Sequence, residues 1–306
     1  MLESYGNCGL ALEGGAMRGM FTCGVIDVML ENGLRFDAAA GISAGAVFGC
    51  NLKSRQAGRA VRYNLKYCRD RRYCSLLSLL KTGDLYGADF CYRELPEKLD
   101  PFDRETFRAD ETVFFAGATD IKNGRIVYHR LSDGGKEDML WLRASASMPF
   151  VSRPVEIDGV LYLDGGITEA VPLAPVRALG CLRCAAVLTR PKGYRKKESR
   201  PLPPFVPLLR KYPKLAAALA ARDEMYNRQM DEIDRDEADG KLLVIRPPYP
   251  LPVRRTEKSR TKLEQAYLIG RRTMEERLSE TVLFLRQQPR AAGNNGQAER
   301  YEEGSE

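Results

Sequence analysis

Three short segments hold residue types that could do chemistry together: Gly14-Gly15-Ala16-Met17-Arg18-Gly19, Gly41-Ile42-Ser43-Ala44-Gly45 and Asp164-Gly165-Gly166. The second is a GxSxG signature, the mark of a nucleophile elbow, a tight strand-to-helix turn that thrusts a serine hydroxyl into a site. Such a serine normally relies on a histidine base, and the partners then run Ser, Asp or Glu, His along the chain. This sequence has one histidine, His129, and none after Asp164. Either Ser43 is not a nucleophile or its base is something other than histidine. The rest of the chain favours the second.

A glycine-rich loop between a strand and a helix offers several backbone N–H groups and the positive end of a helix dipole. Phosphate or a developing oxyanion is stabilised there. A dinucleotide loop, GxGxxG with an acidic residue about 20 positions on, fits poorly. The middle glycine is replaced by Ala16, and Asp37 stands at the start of the second strand rather than its end. Gly41 and Gly45 leave room for two backbone segments beside a strained serine, although Gly, Ser and Ala also make a plain helix N-cap. An aspartate before two glycines is often only a turn. What gives Asp164 weight is convergence: N–H donors, a hydroxyl and a carboxylate, each at a strand end, where active sites of parallel α/β sheets assemble.

The elements that must position these residues can be read in turn. Leu10 to Leu12 is a short buried strand, and a helix runs from about Gly19 to Asn32 with Phe21, Val25, Val28 and Met29 at helical spacing and Gly33 after it. Phe36 to Ile42 is extended and Ala44 to Leu52 helical, the opening of an α/β fold. Residues 60–110 read as helices and loops around Leu76-Leu77-Ser78-Leu79-Leu80. Strands at 112–119 and 125–129 are joined through Lys122-Asn123-Gly124. Val160 to Leu163 is a strand leading to Asp164, Val176 to Leu179 is helical, and Ala185 to Thr189 is a further strand. A helix from about Lys214 to Glu237, a strand at Leu242 to Ile245 and a final helix from about Glu257 to Arg286 follow. In that last helix Leu263, Tyr267, Met274, Leu278, Val282 and Leu285 make one packing face.

An acidic residue before Gly-Gly-small-x-Arg-Gly, then GxSxG, then Asp-Gly-Gly over 100 residues later resembles the patatin-like phospholipases. The stretch Arg143 to Phe150 (RASASMPF) and Pro172 resemble that family as well. The resemblance covers roughly residues 9–190. It implies a three-layer α/β/α fold with a mainly parallel sheet, and hydrolysis of lipid acyl esters by a Ser–Asp dyad without histidine. Ser43 would be the nucleophile, Asp164 its base, and the N–H groups of the 14–19 loop the oxyanion hole. Arg18 would orient that loop, meet a lipid phosphate or make a surface ion pair. Ala16 stands where many members carry a third glycine; its N–H survives the change, with less room beside the substrate. His129 is expected to be a structural or surface residue. The motifs do not read a head group, so phospholipid, lysophospholipid, neutral lipid and small ester all remain open. A non-catalytic lipid- or protein-binding module on the same scaffold is the alternative, and the intact Ser43 and Asp164 count against it.

At 306 residues, 44% hydrophobic and 29% charged, the composition is that of a globular protein. No apolar run approaches the roughly 18–20 residues of a membrane span. The first residues lack the basic n-region of a signal peptide, so a cytoplasmic location with free thiols is expected for a chain with eight cysteines. Cys181 and Cys184 form one CxxC with no second ligand pair, and neither metal nor other cofactor is expected. The organisation expected is a catalytic domain over 1–190, a basic linker and mainly helical extension over 191–288, and a disordered tail over 289–306. Residues 190–214 hold nine Lys or Arg against one acidic residue, Glu198. With Phe205, Leu208, Leu209 and Tyr212 among them, they suit peripheral contact with an anionic membrane, or simply a solvated linker. No nucleic-acid module accompanies them, and none is expected as a partner.

Overall fold

A computed structural model describes residues 7–197 and 207–286; the expected tail at 289–306 and Phe205 lie outside them. Its centre is an eight-stranded sheet in the order β5-β6-β3-β2-β1-β7-β8, with β4 also paired to β3. The strands are β1 Cys8–Leu12, β2 Ala38–Ile42, β3 Val113–Asp120, β4 Arg125–Leu131, β5 Val155–Ile157, β6 Val160–Asp164, β7 Arg183–Val187 and β8 Leu242–Ile245. The β3/β2/β1/β7/β8 run is parallel, whereas β4 and β6 pair antiparallel with β3, and β5 with β6. The fold is therefore the mainly parallel α/β class that the sequence implies.

Alternation along the strands sorts the core into two layers. In β1, β2, β7 and β8, residues Leu10, Leu12, Ala39, Ala185, Val187, Leu243 and Ile245 face one side. Ala11, Ala38, Ala40, Ala186, Leu242 and Val244 face the other. Both faces are apolar because both are covered, the usual condition of parallel strands. The first side carries α1 Gly19–Glu31, α2 Ala44–Lys53, α3 Arg59–Tyr67, α6 Lys136–Ser145 and α11 Arg260–Arg286. The second carries α7 Leu173–Ala178 and α10 Arg222–Ala238. The short α4 Leu76–Thr82 and α5 Arg104–Ala109 flank a ten-residue π-helical stretch, Phe90–Leu99.

Residues beyond 190 complete this same body. β8 is the edge strand beside β7, and α11 lies along α1, where Gly24 and Gly270 let the two backbones approach. Tyr267 of α11 donates to Asp27 of α1 at 2.9 Å, and Arg271 forks onto Glu31 at 2.7 Å. The single helix expected over 214–237 is instead α9 Pro213–Ala220 and α10, broken at Ala221, with α8 Pro207–Lys211 before them. The break lets Arg222, the first residue of α10, reach the Gly166 carbonyl oxygen at 2.6 Å. α6 and β5 had no counterpart in the sequence reading. The cap of α6 is Gly135, which has no side chain to announce it, and β5 is three residues long.

Candidate active site

β2 and β6 run toward each other along β3, one parallel and one antiparallel. β2 ends opposite Gly117 at Ile42, and β6 ends opposite Ala118 at Asp164. Their carboxyl ends therefore meet head to head. The turn after β2 carries Ser43, and its Oγ donates to Asp164 Oδ2 at 2.7 Å. The convergence inferred from strand ends is present, with one change: the strand bringing the carboxylate is antiparallel and arrives from the opposite direction.

Ser43 adopts φ 53°, ψ −121°, the left-handed side of backbone space that non-glycine residues avoid. Its turn is held by the start of α2, whose Ala46 and Val47 N–H groups donate to the Ser43 carbonyl, and by Ser145 Oγ, which accepts from Ser43 N–H at 2.9 Å. Gly41 and Gly45 are demanded by close approach rather than by dihedrals. A Cβ on Gly41 would lie 2.4 Å from the Ala46 nitrogen, and one on Gly45 would lie 2.2 Å from the Leu12 carbonyl oxygen.

Asp164 is buried and well held. Its Oδ1 accepts from Gly166 N–H at 2.7 Å, its own N–H donates to the Ser147 carbonyl, and its carbonyl accepts from Thr119 Oγ1 at 2.9 Å. Burial pushes the carboxyl above the ordinary aspartate value, while the Ser43 hydroxyl, the Arg222 charge and Gly166 N–H pull the other way. Gly165 packs on Gly117, where an added Cβ would come within 2.4 Å of the carbonyl oxygen.

The glycine loop turns past Ser43 into a short 3-10 turn, Ala16–Arg18, before Gly19 opens α1. Gly14 N–H is spent on the Ala170 carbonyl, Met17 N–H on Arg255 and Arg18 N–H on Gly15. The N–H groups of Gly15 and Ala16 have no acceptor among the described residues. Ala16 holds φ 48°, a conformation in which glycine would be unstrained. Glu13, buried just before the loop, accepts from Thr189 N–H at 2.5 Å and from Tyr226 O–H at 3.2 Å, tying the end of β1 to β7 and α10.

Two cavities share Ser43 and Ala16. One is apolar and includes Met17, Val47, Phe48, Tyr63, Met139 and Leu142. The other, about 600 Å³, includes Gly14, Gly15, Arg18, Asp164, Gly166 and several further basic side chains. His129 lines neither. Its ring stacks on Trp141 at 4.7 Å with an interplanar angle of 4°, and Nε2 lies 3.5 Å from Asp138 Oδ1. None of the eight cysteines, Cys181 and Cys184 included, forms a disulfide. Three contributors were invisible in the sequence as site residues: Ser145, Arg222 and Arg255. Ser145 at least falls within the stretch 143–150 that carried part of the resemblance.

Comparison with known proteins follows these elements closely. At 30% identity over 200 residues the chain is similar to the uncharacterized protein YjjU of Escherichia coli (strain K12), covering 61% of this chain and 53% of that protein. An uncharacterized NTE family protein of Mycobacterium tuberculosis (strain ATCC 25618 / H37Rv) is 31% identical over 55% of this chain and 44% of its own length. Lysophospholipase nte1 of Emericella nidulans is 29% identical over 56% of this chain and 11% of that protein. The matches thus span about half or less of these relatives. Residues 212–286 match a domain of unknown function (DUF6363). The description "Patatin-like phospholipase" matches residues 10–177, more than half of the chain and the whole stretch from β1 through the elbow to the Asp-Gly-Gly turn, so the chain belongs to the patatin-like phospholipase family.

Proposed function

We propose that the protein is a serine acyl hydrolase that cleaves lipid acyl esters through an acyl-Ser43 intermediate, with Asp164 as general base. The observation that carries this reading is the 2.7 Å hydrogen bond from Ser43 Oγ to the buried Asp164 carboxylate, made by a serine in a strained elbow. Family membership and the lysophospholipase relative support lipid hydrolysis in general.

Asp164 takes the hydroxyl proton as Ser43 Oγ attacks the ester carbonyl carbon, and the carbonyl oxygen becomes an oxyanion. Gly15 and Ala16 N–H groups, free of other acceptors among the described residues, are suited to stabilise it together with the dipole of α1. Collapse of the tetrahedral species expels the alcohol, which receives the proton from Asp164 and leaves acyl-Ser43. Water then attacks the acyl carbon, gives its proton to Asp164, and the fatty acid departs as Ser43 is reprotonated. The apolar cavity at Ser43 suits the acyl chain.

Peripheral contact with an anionic bilayer belongs to this reading. Leu76, Leu77 and Leu80 of α4 and nearby Phe150 are exposed, and the loop after α4 is hydrogen-bonded to the segment after Phe150 through Leu85 N–H and the Val151 carbonyl. Among the described residues no helix is long and apolar enough to cross a membrane. The decisive test is labelling with a fluorophosphonate probe. Wild type should be labelled at Ser43 and Ser43→Ala left unlabelled; an unlabelled wild type that turns over no ester would remove the hydrolase reading.

A further inference from the structure

The larger cavity beside Ser43 has a charge pattern that the reaction itself does not need. It is lined by six basic side chains, Arg18, Arg190, Lys196, Lys197, Arg222 and Arg255, against three carboxylates, Glu13, Asp164 and Asp223. Those carboxylates are engaged. Glu13 accepts from Thr189 and Tyr226, Asp164 accepts from Ser43 and Gly166, and Asp223 lies 3.8 Å from Lys196. Arg18, Arg190 and Arg255 make no ion pair among the described residues, and Arg18 Nε is buried without a hydrogen-bond partner among them. Burial pulls Arg18 down to about 10, with Arg190 and Arg255 adding repulsion, and it pulls Lys196 down to about 8, with Arg222 adding to it. Cations gathered this way are stabilised by an anion.

The cavity's shape chemistry narrows which anion. Guanidinium forks match the oxygens of a phosphate and hold it by charge-assisted hydrogen bonds. A choline head needs a cage of open aromatic faces instead. The two tyrosine rings here are covered by the protein's own cations, Arg190 at 4.3 Å from the Tyr194 centroid and Lys196 at 4.3 Å from that of Tyr226. Five of the six cations come from after β7, and Arg222 and Arg255 belong to residues 212–286, the segment of unknown function. We propose that this cavity holds the phosphate of a net-anionic lipid headgroup while the acyl chain occupies the apolar pocket, so that acidic phospholipids or lysophospholipids are cleaved in preference to choline ones. The inference rests on the hydrolase reading above. It also assigns the 212–286 segment a part in substrate selection.

The test compares kcat/KM of the full chain on oleoyl lysophosphatidic acid and oleoyl lysophosphatidylcholine, which differ only in the head. The anionic lipid should be favoured by about tenfold or more, the scale of one or two charge-assisted hydrogen bonds. The double variant Arg190→Gln/Arg255→Gln should lose most of that ratio. A wild-type ratio near one, or in favour of choline, overturns the proposal whether or not the variant folds. Inorganic phosphate in a thermal-melt series separates a free anion from a headgroup. If phosphate stabilises wild type and not the variant while the lipid ratio stays near one, the occupant is a free anion and the headgroup assignment fails. Absence of ester cleavage together with absence of fluorophosphonate labelling is a failure of the hydrolase reading instead, and the two failures are thereby told apart.

Discussion

Ser43 and Asp164 are both held in states that the folded chain would relax if it could, a strained φ of 53° in one case and a buried carboxylate in the other. Ser43→Ala keeps the turn and removes the oxygen, so ester turnover should fall by about 10⁴-fold or more with the fold unchanged. A folded Ser43→Ala protein that still turned over p-nitrophenyl butyrate would sink the assignment. Asp164→Asn should be nearly as damaging, because the amide cannot take the proton, whereas His129→Ala, which lines neither cavity, should be mild. Asp164 also predicts a pH dependence of stability. Its folded pKa lies above the ordinary aspartate value, so its contribution is fully present below the unfolded pKa and is lost as pH rises through the folded one. Asp164→Asn has no such loss. The melting temperature of the variant relative to wild type should therefore rise as the pH is raised through and above the ordinary aspartate range, and a difference that is flat or falls with pH contradicts the burial argument. On the proposed mechanism the same shift should place the acidic limb of kcat/KM above the usual carboxylate range. Arg222→Gln, which removes a charge that lowers the Asp164 pKa, should move that limb to higher pH.

At the scale of elements, the contact between α1 and α11 ties an early part of the described chain to a late one. It depends on two small residues. A Cβ on Gly24 would lie 2.2 Å from the Tyr267 carbonyl oxygen, and one on Gly270 would lie 2.1 Å from that of Phe21. Backbone cannot yield as a flexible side chain would, so Gly270→Ala should cost about 2–3 kcal/mol in urea unfolding. Unchanged stability would mean that the helices do not cross there. The sequence displayed the amphipathic face of α11 but not this crossing, because helical spacing is local and glycine contacts across 240 residues are not. The same division runs through the site. The elbow and the Asp-Gly-Gly turn were legible because each is a short run of turn chemistry at a strand end. The head-to-head meeting of β2 and β6 was not, since it depends on the antiparallel register of β6 against β3. Arg222 and Arg255 stayed hidden for a related reason: nothing in their neighbouring residues distinguishes them until segments from more than 100 residues away are packed beside Ser43, while Ser145 lay in a recognisable stretch without showing that its Oγ would accept from Ser43 N–H.

Charge is where the whole molecule departs most from its linear reading. The basic stretch at 190–214 looks unopposed in sequence, yet α10 supplies much of its counter-charge. Lys192 pairs with Glu237 at 3.1 Å, Arg195 with Asp231 at 2.6 Å and Asp234 at 2.9 Å, and Lys196 with Asp223 at 3.8 Å. Arg210, Lys211 and Lys214 remain exposed and make no ion pair among the described residues. Each exposed cation contributes about 1 kcal/mol near an anionic surface, less as salt screens it. Three of them alone would hold the protein weakly. The apolar share falls to α4, where Leu76 is 72% exposed and Leu80 85% exposed in a helix with no buried residue. Burying a leucine side chain is worth about 1.5–3 kcal/mol, more than any one of those cations. Vesicle co-sedimentation should therefore show binding that requires anionic lipid and weakens with salt. Leu76→Ser/Leu80→Ser should reduce it most, Arg210→Gln/Lys211→Gln/Lys214→Gln should reduce it less, and Arg195→Gln/Lys196→Gln/Lys197→Gln least. If the last variant loses the most, the ion pairs to α10 open at the membrane and the charged stretch, not α4, is the contact; if none of the three matters, the exposed leucines and the basic stretch serve something other than a lipid surface.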